Sequence, residues 1–276
     1  NEDIALRVYT SRLIGQDERL VLHGGGNTSV KTRLRDDVGD EVEVLCVKGS
    51  GWGLGDIDVP GLPAVRLESL GRLRKLDALS DEDMVNAART RLLDASAPNP
   101  SVETLLHAFL PHKFIDHSHA DAILSLVDQP EAEALCRELF GDTLAVVPYI
   151  MPGFDLAKLA ADVQEAHPEA EGLLLLQHGL FTYGATARES YERHISAVSK
   201  AEAFIASRSV PRATRNPGPV DFAELAPLLR GRLDGRFVLE LRQSEAISRF
   251  VNDERLATFS QRGPVTPDHV IRTKQK

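Results

Sequence analysis

A chain of 276 residues has room for one large domain, or for a domain with an appendage, around a core of enzyme size. With 42% hydrophobic and 26% charged residues its composition is that of a globular protein rather than a disordered or fibrous one. A net charge of -9 excludes a generally basic nucleic-acid binder, and no apolar run approaches the roughly 20 residues that span a bilayer.

Residues 3–14 show helical apolar spacing and lead into a glycine-rich turn, Leu22-His23-Gly24-Gly25-Gly26-Asn27-Thr28-Ser29. Residues 30–34 and 41–47 then read as a β-hairpin around Asp36-Asp37-Val38-Gly39-Asp40. A second glycine-rich turn, Lys48-Gly49-Ser50-Gly51, follows directly. Capped helices are expected over 84–93, after Ser80-Asp81-Glu82-Asp83, and over 102–110, the latter with Ser101 as its N-cap, and a strand over 114–119. Helices over 131–139 and 156–166, strands over 144–147 and 172–177, and a long helix over 188–207 complete an alternation. This predicts an α/β (α+β, three-layer) fold, with a central mixed sheet flanked by helices. A proline-rich stretch over 209–219 is the candidate linker between a first domain, 1–208, and a C-terminal part, 209–276. Beyond it a small helix-strand-helix appendage is expected over 222–232, 237–241 and 244–251. Cys46 and Cys136 belong to no CxxC or Cys/His cluster, which points to a reducing compartment. The sequence starts at Asn1 without a basic-then-apolar leader, so it reads as cytoplasmic and as a piece of something longer.

His117 and His119 lie two apart on a predicted strand, so their imidazoles share one face and can share one metal ion. With nine histidines in the chain such a pair needs support, and His178 supplies it at the end of an apolar strand, beside Gly179. Three histidines with an open fourth position make a catalytic rather than a structural zinc site. Glu103, in the first turn of its helix, is either a carboxylate matched to the helix dipole or a general base whose pKa burial would raise. The two glycine-rich turns, with Asn27, Ser29, Ser50, Gly51 and Lys48, and the helix start at Ser101, are candidate donors to one phosphate. Neither turn matches a nucleotide-binding glycine motif.

Five motifs in this order, Gly-Asn27-Thr-Ser, Lys48-Gly-Ser-Gly51, Pro-Ser101-x-Glu103, His117-x-His119 and Gln-His178-Gly-Leu, resemble the class II aldolase/adducin family over about residues 5–208. The family includes fuculose- and rhamnulose-phosphate aldolases and ribulose-phosphate 4-epimerase. The resemblance implies a class II aldolase-like fold with Zn2+ or another divalent metal on His117, His119 and His178. It also implies a phosphate held by Asn27, Ser50, Gly51 and Ser101, Glu103 as acid/base, and assembly as a homo-oligomer, a tetramer. The implied activity is an aldehyde-lyase cleaving a ketose 1-phosphate of the rhamnulose type to dihydroxyacetone phosphate and an aldehyde. The alternatives are a sugar-phosphate 4-epimerase, in which Asp tends to stand where this chain has Glu103, and a non-catalytic adducin-like module. The segment Gly263-Pro264-Val265-Thr266-Pro267-Asp268-His269 resembles the join to a short-chain dehydrogenase in bifunctional aldolase/dehydrogenase proteins, so the chain is expected to lead toward a dehydrogenase domain absent from this sequence. Two departures stand out. The gap from Glu103 to His117 is short, which predicts a displaced Glu103, and no tyrosine proton donor matches, Tyr149 being a substitute. Asp116, Asp121 and Tyr149 are the other candidates for the base.

Overall fold

The computed structural model describes residues 1–208 and 220–273, with side chains described through residue 270; the predicted linker over 209–219 lies outside the described residues. Residues 1–208 and the C-terminal stretch that begins at Pro264 form one compact unit. The described residues from 220 to 263 belong to a second.

The first unit is built on seven strands: β1 (Asn27–Arg35), β2 (Glu41–Val47), β3 (Ala64–Arg66), β4 (Phe114–Ser118), β5 (Leu144–Val147), β6 (Gly172–Leu175) and β7 (Gly179–Gly184). They form one sheet in the order β3-β2-β1-β4-β7-β6-β5. β5 and β6 pair in parallel and every other neighbour is antiparallel, so the expected mixed sheet is present. The β1–β2 turn forms as its sequence dictates: the Asp36 side chain accepts from the Val38 and Asp40 amides, and Gly39 takes a φ of +94°.

Helices cover both faces. α1 (Glu2–Gly15), α5 (Asp121–Val127), α6 (Ala132–Phe140) and α8 (Ala187–Arg208) bury Ile4, Val8, Ile123, Leu124, Phe140 and Val198 in one core. On the other face α2 (Leu67–Gly71), α3 (Asp81–Arg89), α4 (Thr104–Phe109) and α7 (Phe154–Ala166) pack Leu70, Met84, Leu105, Leu106, Leu156 and Ala160 into a second core. α3 starts where Ser80 accepts from the Asp83 amide. α4 starts later than its sequence predicts: Glu103 rather than Ser101 is its N-cap residue, and the Ser101 hydroxyl accepts from the Glu103 amide just before it, at 3.3 Å. Periodicity predicts neither the strands β3 and β7 nor the helix α5. β7 is the costliest of these omissions, because its six residues are all buried and carry no alternation of polar and apolar side chains.

The second unit contains α9 (Phe222–Arg232), α10 (Glu245–Val251) and α11 (Leu256–Phe259). The strand expected over 237–241 does not form: among the described residues of this unit no other strand exists to pair with it. A further helix, α12 (Pro267–Thr273), belongs to the first unit, so the last part of the predicted appendage returns to the body that carries the sheet.

Candidate active site

β4 carries the site because its side chains alternate. Phe114, Asp116 and Ser118 point toward α1 and α8, whereas Ile115 and His117 point toward the α4 side, with His119 one step past the strand end. The first set forms a polar floor. Asp116 pairs with the buried Arg7 and accepts from the Ser190 hydroxyl at 2.5 Å. Arg7 also donates to the Ile115 carbonyl at 3.2 Å. Ser118 donates to His194 Nε2 at 2.6 Å, His194 Nδ1 donates to Thr182 Oγ1 at 2.8 Å, and the Thr182 hydroxyl donates to the Ser190 carbonyl at 3.1 Å. Burial pushes His194 down to about 4, which keeps it neutral and suits this chain of bonds. Asp116 is thus committed on the far face and is not available as a base.

On the near face one nitrogen each from His117, His119 and His178 lie within 4.8 Å of one another. The Nε2 atoms of His117 and His119 are 3.0 Å apart. His117 donates from Nδ1 to the Leu180 carbonyl at 3.0 Å and stacks on Phe181, which turns Nε2 into the cluster. His119 donates from Nδ1 to Asp268 Oδ1 at 2.6 Å, with the same consequence. His178 sits in the β6–β7 connection, after Gln177 at a φ of +56°, rather than on a strand. Gly179 is needed there: a Cβ would lie 2.4 Å from the Ser118 carbonyl and 3.1 to 3.2 Å from the His119 and His117 rings. Burial holds His117 well below its ordinary value, although the Glu103 carboxylate beside it acts in the opposite direction.

Glu103 reaches this cluster, contrary to the displacement expected from its short spacing to His117. Its Oε2 is 3.3 Å from His117 Nε2 and its Oε1 is 3.2 Å from His178 Nε2. Burial would raise its pKa, but the His117, His178 and His119 rings hold it well below the ordinary carboxylate range, so the upward displacement expected of it is not found. Oε1 has no hydrogen-bond partner and neither has His178 Nδ1. Three imidazole nitrogens converging on one point could hold a divalent transition metal, with the unpartnered Glu103 oxygen beside them, and the residues fit that group.

Asn27 links Glu103 to the rest of the site. Its Nδ2 donates to Glu103 Oε2 at 2.6 Å and to Ser101 Oγ at 3.2 Å. A carboxylate can only accept, so Oδ1 must face His107 Nε2, and the Ser29 hydroxyl donates to His107 Nδ1 at 2.7 Å. Ser29 is wholly buried in that bond, so its hydroxyl is not available to an anion.

The two glycine-rich turns and Ser101 do converge. Lys48 Nζ donates to the Gly24 carbonyl at 2.7 Å and the Ser101 amide to the Lys48 carbonyl at 3.0 Å. Several amides expected to point at a phosphate are already used: Gly25 donates to Leu22, Gly49 to Gly61 and Ser50 to Asn99. The exposed Ser50 and Gly51 and the half-buried Ser101 remain beside Lys48. Tyr149 is half exposed, and its hydroxyl contacts Met151 Sδ at 4.0 Å. Sequence reasoning misses the ties of Asn27 to Glu103 and of His119 to Asp268. Their partners lie 76 and 149 positions away, where no spacing rule reaches.

Residues 5–205 match the class II aldolase and adducin N-terminal domain, and residues 221–276 match the aldolase class II second domain. The chain belongs to the class II aldolase/adducin family. It is 37% identical over 280 residues to the uncharacterized oxidoreductase YuxG of Bacillus subtilis (strain 168), covering 97% of this chain and 41% of that protein. The chain therefore spans less than half the length of that relative. A methylthioribulose-1-phosphate dehydratase of Sorangium cellulosum (strain So ce56) is 30% identical over 155 residues, 49% of this chain and 72% of its own. Among solved structures, the N-terminal class II aldolase domain of a conserved protein from Thermoplasma acidophilum is similar with 48% identity and a TM-score of 0.70, covering 74% of this chain and 93% of that one. Among the described residues no helix is long and apolar enough to cross a membrane.

Proposed function

We propose that the chain is a metal-dependent lyase that cleaves a ketose 1-phosphate of the rhamnulose 1-phosphate type to dihydroxyacetone phosphate and an aldehyde. His117, His119 and His178 hold one divalent ion, zinc in the first instance. When bound, the ion supplies a Lewis acid to the ketose oxygens and a sink for the negative charge released at C3. Glu103 takes the proton from the C4 hydroxyl as the C3–C4 bond breaks, leaving C4 as the aldehyde carbonyl, and gives a proton back at C3. The carrying observation is the Glu103 carboxylate beside two imidazole Nε2 atoms, with Oε1 free of hydrogen bonds. Asn27 holds Oε2 so that Oε1 faces the substrate. Ser50, Gly51 and Ser101 bind the phosphate, with the Lys48 charge beside them. Assembly as a homo-oligomer, a tetramer, and a cytoplasmic location belong to the same reading; the free buried Cys46 and Cys136 support the latter.

A second reading, loss of water from a ketose 1-phosphate without carbon–carbon cleavage, is favoured by the name of the Sorangium relative. One experiment tests both: incubation of the zinc-loaded chain with a panel of ketose 1-phosphates, with products separated by mass. Release of dihydroxyacetone phosphate that stops on chelation supports cleavage, and a product about 18 mass units lighter than substrate, as water loss requires, supports dehydration. No turnover of any member under zinc, cobalt or manganese overturns the proposal.

A further inference from the structure

The tail from Pro264 to Val270 enters the site from outside its recognised motifs. Asp268 is 1% exposed, and each of its carboxylate oxygens takes one N–H: Oδ1 from His119 Nδ1 at 2.6 Å, Oδ2 from the Leu22 amide at 2.7 Å. Thr266 and His269 brace the segment through a side-chain bond of 2.5 Å, and the His269 ring meets His23 edge to face. The glycine-rich turn is shaped to this carboxylate. A Cβ on Gly25 would lie 1.6 Å from Asp268 Oδ1, so at this position the glycine makes room for the chain's own anion.

Two physical points give the contact a role. His119 lies beyond the end of β4, where no ladder bond restrains it, whereas His117 is fixed by Leu180 and Phe181. Asp268 supplies the missing restraint: an Nδ1–H bonded to a carboxylate leaves Nε2 as the free lone pair and fixes the plane of the ring. Moreover, among the described residues no lysine or arginine nitrogen lies within ion-pair distance of this buried carboxylate, and Lys48 acts on it only from further away. A buried carboxylate without a cation in contact is costly. A cation on the far nitrogen of His119 would offset that cost.

We infer that Asp268 is a positioning residue for His119, so that the C-terminal tail forms part of the metal centre and sets its affinity. The inference rests on the reading that His117, His119 and His178 hold a metal. The test is zinc binding to the full chain, measured by competition with a chromogenic chelator, for the parent, Asp268→Ala, His119→Ala and the double variant. Apo melting temperatures are recorded alongside. Asp268→Ala should weaken zinc binding by about 10- to 100-fold. In the His119→Ala background the same substitution should change affinity by less than about twofold, since its route to the metal is gone. Asp268→Asn, which keeps the shape, should fall between parent and alanine. Val265→Ala, on the same segment but exposed, should bind zinc as the parent does. Equal affinity in parent and Asp268→Ala overturns the inference while leaving the three-histidine site standing. Equal weakening in both backgrounds overturns it too, because Asp268 would then act by another route. A parent that binds no zinc removes the metal reading and this inference together.

Discussion

Asn27→Ala separates two roles that the site allows for this side chain. Truncation removes the acceptor of the His107 Nε2–H, which is 0% exposed, at a cost of about 1–3 kcal/mol. For a chain of this length that corresponds to a fall in melting temperature of roughly 2 to 6 °C. Truncation also frees Glu103 Oε2 from its 2.6 Å donor, so the carboxylate loses its fixed direction. Loss of that charge-assisted bond, about 1.5–3 kcal/mol, should appear as a fall in kcat of roughly 10- to 150-fold with KM little changed. Asn27→Asp keeps the volume but sets a second carboxylate against Glu103, so it should lose turnover at least as severely while leaving no cavity. The assays are thermal melting of the apo chain and steady-state kinetics on the substrate found by the product screen. A raised KM with kcat intact would refute the reasoning and return Asn27 to the phosphate.

Three further outcomes are expected. Glu103→Gln should lower kcat by about 10²- to 10⁴-fold with zinc content unchanged; loss of zinc by metal analysis would make Glu103 a ligand instead of a base. Lys48 is pushed down to about 8 by burial, so its positive charge is lost as pH rises through 8; KM for a phosphorylated substrate should rise by roughly tenfold across that range, and Lys48→Met should abolish the dependence. His107 and His194 are pushed by burial to about 3 and about 4, so the unfolded chain binds protons that the folded chain refuses. Their contribution is complete above the unfolded value near 6.5 and is lost as pH falls toward the folded values, so the urea midpoint should decline from pH 6.5 to 4; a flat midpoint over that range contradicts their neutral burial.

The features legible in the sequence are those that local rules encode. The Asp36–Asp40 turn, the Ser80 cap and the same-face placement of His117 and His119 all follow from spacings of a few residues. β7 escapes such rules because a strand buried on both faces shows no period. The glycine turns read as phosphate donors because a sequence does not reveal which amides its own loops consume. The spacing of Glu103 to His117 misleads for a related reason. Distance along the chain says little once β1 lies beside β4 in the sheet, where Asn27 stands opposite His117 across the strands and bonds Glu103 through its amide.

The same cross-strand pairing explains how His117 on β4 and Glu103 at the start of α4 come together although they belong to different elements. Asn27 opposite His117 puts an amide at the sheet surface, from which one side chain reaches both Glu103 at the helix start and the buried His107. On the opposite face, Asp116 and Ser118 anchor the same strand to Arg7 and His194. β4 is thereby held from both sides, and polar bonds beneath the site fix the strand that presents His117. A strand held in this way leaves His119, beyond its end, with an orientation that depends on a distant segment, and Asp268 is the residue placed to set it.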